Sequence, residues 1–345
     1  MKAIVIHGAR DLRIEERKTH APGPGEVAVR VARGGICGTD LHYYQNGGFG
    51  TVKLREPMIL GHEVSGYVEA LGDEVAGLAL GDLVAVSPSR PDWHDPYARE
   101  GMPQHSAGMR FYGSAMKFPH VQGAFRQLLL VRLEQCVKAD GLTPAEAAMA
   151  EPLSVVLHAL KQMGDINGGR VLVTGCGPIG ALAVLALRRA GAAEIVVTDV
   201  MEGALKLARS CGADCAVNVA TDPDALAPFA ANKGYFHAAV ECAGAAPALI
   251  SAIACVRARG VIVQVGLGGE VSVPMDAIVS KELEIRGSFR FHFEFPTAVE
   301  MMQKRLIAVA PLITQVFPFI DAVEAFDFAS DRNLALKVQL EFGAG

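Results

Sequence analysis

No two of the seven cysteines stand at C-x-x-C spacing, and seven is an odd count. That excludes a disulfide framework as the organising device and fits a reducing compartment. No apolar run approaches the roughly 18 residues of a membrane span. The first such run, Ala3–Ile6, stops at His7, too short for the core of a secretory signal. A cytoplasmic protein without membrane contact is expected. Excess charge of either sign is missing too. Lys and Arg number 32 against 37 Asp and Glu, for a formal net charge of −5. Such a chain has no general attraction to nucleic acid, so none is expected as a partner.

The composition is 51% hydrophobic and 20% charged, which suffices for large cores and excludes a disordered or fibrous chain. A length of 345 residues suggests about two domains. The 37 glycines are clustered, which points to tight backbone approaches rather than flexible linkers.

The first 140 or so residues are turn-rich. Short apolar or alternating runs at Ala3–Ile6, Val27–Val31, Val64–Ala70, Leu83–Val86 and Gln127–Val131 predict a β-rich domain. Ser87–Ser106 is rich in Pro and Asp and is expected to be a loop. At Thr143-Pro144-Ala145-Glu146 the pattern changes to a helix start, with Thr as N-cap and Pro at the first position. Strands and helices then alternate. Strands are predicted at Arg170–Thr174, Glu194–Thr198, His237–Glu241, Val261–Val265 and Leu283–Ser288. Helices are predicted at Ala181–Ala190 and Glu202–Ser210. That alternation implies a parallel sheet covered on both faces.

Gly175-Cys176-Gly177-Pro178-Ile179-Gly180 matches G-x-G-x-x-G. The pattern alone is weak. Here it follows a predicted strand, opens a helix, and precedes Asp199 at the end of the next strand, the full context of a dinucleotide fingerprint. Gly175 makes the tight turn, Gly177 admits the pyrophosphate to the backbone, and Gly180 lets the helix close on the strand. Asp199 can accept from the adenosine ribose hydroxyls and repels a 2′-phosphate, so NAD is favoured over NADP. Lys206 and Arg209 downstream could soften that preference.

A second constellation runs Cys37-Gly38-Thr39-Asp40-Leu41-His42, then Gly61-His62-Glu63, then Ala150-Glu151-Pro152-Leu153. Cys, His and Glu together suit Zn²⁺. Singly, each is more often an ordinary core residue; the grouping gives them weight. CGTDLH, GHEVSGYVEALG, EPL and GCGPIG occur in the order and at the spacing of the zinc-containing medium-chain alcohol and polyol dehydrogenases, which the chain resembles over essentially its whole length. The Glu in EPL resembles the sorbitol dehydrogenase branch. Residues 34–45, 109–125, 233–236, 257–269 and 285–291 look closer to the L-idonate 5-dehydrogenase type within it.

The resemblance implies an α/β architecture of two parts. Residues 1–146 and 290–345 would form a GroES-like, β-rich catalytic domain. Residues 147–289 would form a Rossmann, doubly wound domain, with substrate in the cleft between them. It implies Cys37 and His62 as ligands of one catalytic zinc. Glu63 and Glu151 would be the remaining ligands or would hold the zinc-bound water. Thr39 and His42 would relay the substrate proton to solvent. Beyond the fingerprint glycines, Pro178, Ile179 and Asp199, the cofactor would meet Val265, Gly266, Leu267, Ser288 and Arg290. Tyr43, Arg110, Phe111 and Arg290 would face the substrate.

The same resemblance implies a homodimer or homotetramer. The second, structural zinc common in that family is not expected, because its four cysteine positions correspond here to Asp92, Asp95, Ala98 and Ser106. Asp92, His94, Asp95 and His105 could offer N and O ligands, although a solvated loop is the simpler reading. The implied reaction is reversible oxidation of L-idonate to 5-ketogluconate. A sugar-acid carboxylate would need a cation, for which Arg110, Lys117 and Arg290 are candidates. Alternatives are a sorbitol- or xylitol-type polyol dehydrogenase and a non-catalytic NAD-binding regulator.

Overall fold

Val27, Val29 and Val31 recur at every second position of Glu26–Gly35, and all three are buried. This strand is the spine of the first unit. In the computed structural model, which describes residues 1–343, the chain divides into two compact units. One comprises Met1–Glu151 with the chain from Phe291 onward; the other is Pro152–Arg290.

In the first unit, Glu26–Gly35 pairs antiparallel with Glu63–Leu71, Leu128–Arg132 and Lys337–Glu341. Register shifts in the pairing with Glu63–Leu71 bring Gly35 opposite Glu63. Leu83–Val86 and Cys136–Lys138 extend the sheet on one side, and Ile313–Pro318 extends it on the other. A smaller sheet joins Lys2–Gly8 to Asp11–Glu16 and Met58–Ile59. Every strand predicted for this part of the chain is present. The helix Gly38–Asn46 follows the spine strand directly, with Cys37 as its N-cap.

Ser87–Ser106 is more ordered than its composition suggests. It holds a short strand, Ser89–Arg90, and a helical turn, Pro96–Arg99. The cause is local. Asp95 accepts from Tyr97 N–H and Pro96 supplies the first helical position, so a Pro- and Asp-rich stretch nucleates a turn. The helix start at Thr143 is as expected, with Thr143 and Glu146 forming a reciprocal capping box ahead of Pro144–Ala148.

The second unit is a six-stranded parallel sheet. Its order is Cys215–Asn218, Glu194–Asp199, Arg170–Thr174, Phe236–Glu241, Val256–Gln264, Glu284–Gly287. In order of appearance that is 3-2-1-4-5-6, the doubly wound nucleotide-binding arrangement. Its central strands carry apolar runs such as Val171, Leu172 and Val173, all fully buried, as a sheet covered on both faces requires. No helix among the described residues is long and apolar enough to cross a membrane.

Candidate functional site

Two loops of the first unit bring the zinc-type residues together. Cys37 ends the turn out of the spine strand, His62 immediately precedes the neighbouring strand, and Glu63 begins it. Asp40 ties the two loops: its fully buried carboxylate accepts from Cys37 N–H at 3.0 Å and from Gly61 N–H at 3.1 Å. Glycine makes the room. A methyl group at Gly35 would lie 2.1 Å from Glu63 Oε2, and one at Gly61 would lie 2.1 Å from the Phe125 ring.

One ligand atom each from Cys37, His62 and Glu63 lies within 4.8 Å of the others. Glu151, in the first turn of Ala150–Met163, is outside that close group but feels it. Burial raises the Glu151 carboxyl above its ordinary range; His62 opposes, and Glu63 and Cys37 add to the rise. Burial, then Glu63, pushes the Cys37 thiol up to about 12. The donors therefore crowd negative charge into a buried space. His62 Nδ1 is buried without a hydrogen-bond partner, with Asp40 Oδ1 no nearer than 3.9 Å. A thiol, an imidazole and carboxylates in this state fit a divalent cation of the zinc class.

Thr39 and His42 lie on the helix that Cys37 caps, Thr39 half-buried and His42 exposed. Positions three apart share a helix face. The Phe111 ring centroid lies 5.8 Å from that of His62.

In the second unit the expected nucleotide residues gather at the carboxyl ends of the parallel strands. Gly175 has φ 84°, and a methyl group at Gly180 would lie 2.0 Å from the Gly175 carbonyl oxygen. A methyl at Gly177 would meet nothing, so the backbone there is open to a ligand. No side chain caps Pro178–Arg189, which leaves its first-turn N–H groups, including that of Ile179, for an anion. Asp199 is held in place by N–H donors from Cys176, Val200 and Met201.

Thr174, Glu241, Gln264 and Gly287 form one register row at that rim, with Ser288 next to it. Thr174 Oγ1, Gln264 Oε1 and Ser288 Oγ are all buried without hydrogen-bond partners. Unsatisfied polar atoms at the ligand end of such a sheet fit a bound dinucleotide. Val265, Gly266 and the exposed Leu267 follow the same rim, and Arg290 closes the unit with φ 55°.

Residues 23–141 match the alcohol dehydrogenase GroES-like domain, and residues 178–304 match the zinc-binding dehydrogenase domain. The chain is 42% identical to L-idonate 5-dehydrogenase (NAD(P)(+)) of Escherichia coli over 99% of its own length and 98% of that protein's. The chain belongs to the zinc-binding dehydrogenases. It is 37% identical to the sorbitol dehydrogenase of Gallus gallus, covering 98% of this chain and 96% of that one. The crystal structure of the Escherichia coli L-idonate 5-dehydrogenase superposes with a TM-score of 0.95 at 41% identity, covering 99% and 97% of the two chains. The chain is thus a zinc-dependent oxidoreductase of CH–OH groups, of the polyol or sugar-acid kind.

Three residues of this zinc-binding dehydrogenase escaped the sequence reading. Lys337 donates to both Glu63 oxygens at 2.7 Å, and the two side chains are almost wholly buried. It arrives on the strand Lys337–Glu341, which pairs with the spine at Gly35. The available signal is a lysine inside the apolar strand pattern LALKVQL. Asp40 lies inside the CGTDLH motif, and its role in joining the two donor loops depends on the fold. Glu241 accepts from Ala243 and Gly244 N–H and pairs with the Gln264 amide, so it shapes the rim loops.

Other expectations are revised. Tyr43, expected in the substrate pocket, is fully buried in the core, and its hydroxyl accepts from Ala115 N–H. Arg110 is not with Phe111 beside His62; it lines a separate cavity with Arg90 and Arg126. Lys117 Nζ donates to the Ala107 carbonyl. In the Pro-rich lobe, Asp92 accepts from His94 N–H, and Asp95 accepts from Tyr97 and Ala107 N–H.

Proposed function

We propose that the chain reversibly oxidises a secondary hydroxyl of a sugar acid, L-idonate to 5-ketogluconate, with NAD as hydride acceptor. The close Cys37–His62–Glu63 donor set carries this reading. The likeness to an L-idonate 5-dehydrogenase over nearly the whole chain supports the substrate. Cys37 and His62 would hold the cation, with a carboxylate from Glu63 or Glu151. Bound zinc would lower the pKa of the substrate hydroxyl, and the nicotinamide would take the hydride.

The chain's own residues do the rest. The Thr39 hydroxyl accepts the substrate proton and passes it on. His42, exposed on the same helix, passes it to solvent. Phe111, packed beside His62, would form an apolar wall next to the metal donors. Lys117 donates to the Ala107 carbonyl and Arg110 lines another cavity, so neither is assigned to the substrate carboxylate. The fingerprint glycines and the Pro178–Arg189 helix start would hold the pyrophosphate.

NADH formation over a panel of aldonates and polyols tests the reading. L-Idonate should give the highest kcat/KM. A clear preference for sorbitol or xylitol would replace the sugar-acid assignment with a polyol one. Asp199→Ala tests the nucleotide assignment. It should raise KM for NAD and improve the relative use of NADP by about tenfold, as expected when charge-assisted hydrogen bonds to a ribose are removed. An unchanged ratio between the two cofactors would remove Asp199 from that role.

A further inference from the structure

Arg90 and Arg110 stand directly opposite each other in the antiparallel ribbon formed by Ser89–Arg90 and Arg110–Phe111. Like charges in that position destabilise a sheet. No described carboxylate relieves either guanidinium, and both line a cavity of about 190 Å³ whose wall contains no acidic side chain. Arg126, Tyr112, His120 and Gln122 line the same space.

Arg126 is a third guanidinium without an acid. Its Nε and Nη2 both donate to the Gly123 carbonyl, at 2.9 and 2.6 Å. Burial lowers its pKa, Tyr112 opposes, and the nearby Arg17 adds to the fall. The Tyr112 hydroxyl is raised by burial, while Arg126 and Arg90 both act to lower it. The positive field is therefore concentrated and unanswered. His120 adds no acceptor: Nε2 accepts from Arg55 N–H and Nδ1 donates to the Lys117 carbonyl. Gln122 Oε1 accepts from Ile59 N–H, which leaves its amide hydrogens as donors.

Planar guanidinium forks match the oxygens of phosphate-class anions, and three of them neutralise a dianion. Successive side chains of a strand point to opposite faces, and Phe111 faces His62, so Arg110 points away from the metal donors. We propose that this cavity is an anion site for a small phosphate-class oxyanion, held by Arg90, Arg110 and Arg126 and separate from the metal and nucleotide sites. The proposal stands independently of the substrate assigned above.

Calorimetric titration tests it. The zinc-loaded protein is first saturated with NADH, so that the nucleotide site is filled. Sodium phosphate is then titrated at constant ionic strength, and a hexose phosphate in a second series. Saturable binding is expected, and Arg110→Gln and Arg90→Gln should each weaken it about tenfold or more, the loss of one charged hydrogen-bonding partner. In phosphate-free buffer the same variants should melt at or above the wild-type temperature, because each removes one member of a repelling pair. Binding of inorganic phosphate alone supports the free ion as ligand; binding of both supports a phosphoryl group carried on a sugar. No saturable binding of either, or equal affinity in wild type and both variants, overturns the site.

Discussion

Replacing Cys37 with Ser is expected to cut turnover by about 10³-fold or more, which is about 4 kcal/mol of lost transition-state stabilisation. NADH binding should stay nearly unchanged. Burial pushes the Cys37 thiol up to about 12, so only a cation beside it makes the thiolate the stable form. A serine hydroxyl in the same buried place is far harder to ionise and is a poorer ligand for a borderline-soft metal. The fingerprint glycines and Asp199 lie in the other unit, so the substitution should not reach them. Metal content, turnover and NADH fluorescence titration, measured together, check this. A variant that keeps its turnover would remove Cys37 from the donor set. A chelated wild-type protein should behave as the variant does and recover when zinc is returned.

Lys337→Met should lower the stability of the metal-free protein by about 3–5 kcal/mol, the usual cost of leaving one member of a buried ion pair alone. Glu63 and Lys337 are 1% and 2% exposed, so solvent screens almost none of the interaction. Lys337 also donates to the Ile36 carbonyl at 3.3 Å, which ties the pair to the turn that presents Cys37. Methionine keeps the bulk and removes the charge. The double variant Lys337→Met with Glu63→Gln should recover part of the loss, because it leaves no unmatched carboxylate. Denaturant midpoints of the wild type, the two single variants and the double variant give the coupling. A midpoint for Lys337→Met equal to that of the wild type would show that the pair contributes nothing.

Much of this was legible in the chain because the forces are local. Alternation predicts strands at Val27–Val31, Val64–Ala70 and Gln127–Val131, which fall in three paired strands of the first sheet, and the strand–glycine–helix pattern predicts a helix over Ala181–Ala190, most of which lies in Pro178–Arg189. Cys37, His62 and Glu63 were found because each lies in a short motif with its own glycine. Lys337 was not, because its reason for being buried lies 274 residues away. A lysine in a strand ordinarily signals an edge or an exposed face, and only the partner carboxylate reverses that. A motif gives the neighbours of Tyr43 in sequence but not the burial of its side chain, which is complete. The opposition of Arg90 and Arg110 was illegible for a related reason: two arginines twenty positions apart meet only through a short ribbon that composition presents as a loop.

The placement of Lys337 also orders events on the ribosome. Cys37, His62 and Glu63 emerge early, and the entire second unit is made before their countercharge exists. A nascent chain at that stage holds a bare cluster of sulfur and carboxylate, and the Arg33–Gly35 end of its longest strand still awaits a partner. Premature metal capture and edge pairing are then the hazards of biogenesis, and both end with the same event, when the closing strand docks beside Gly35 and delivers its ammonium group.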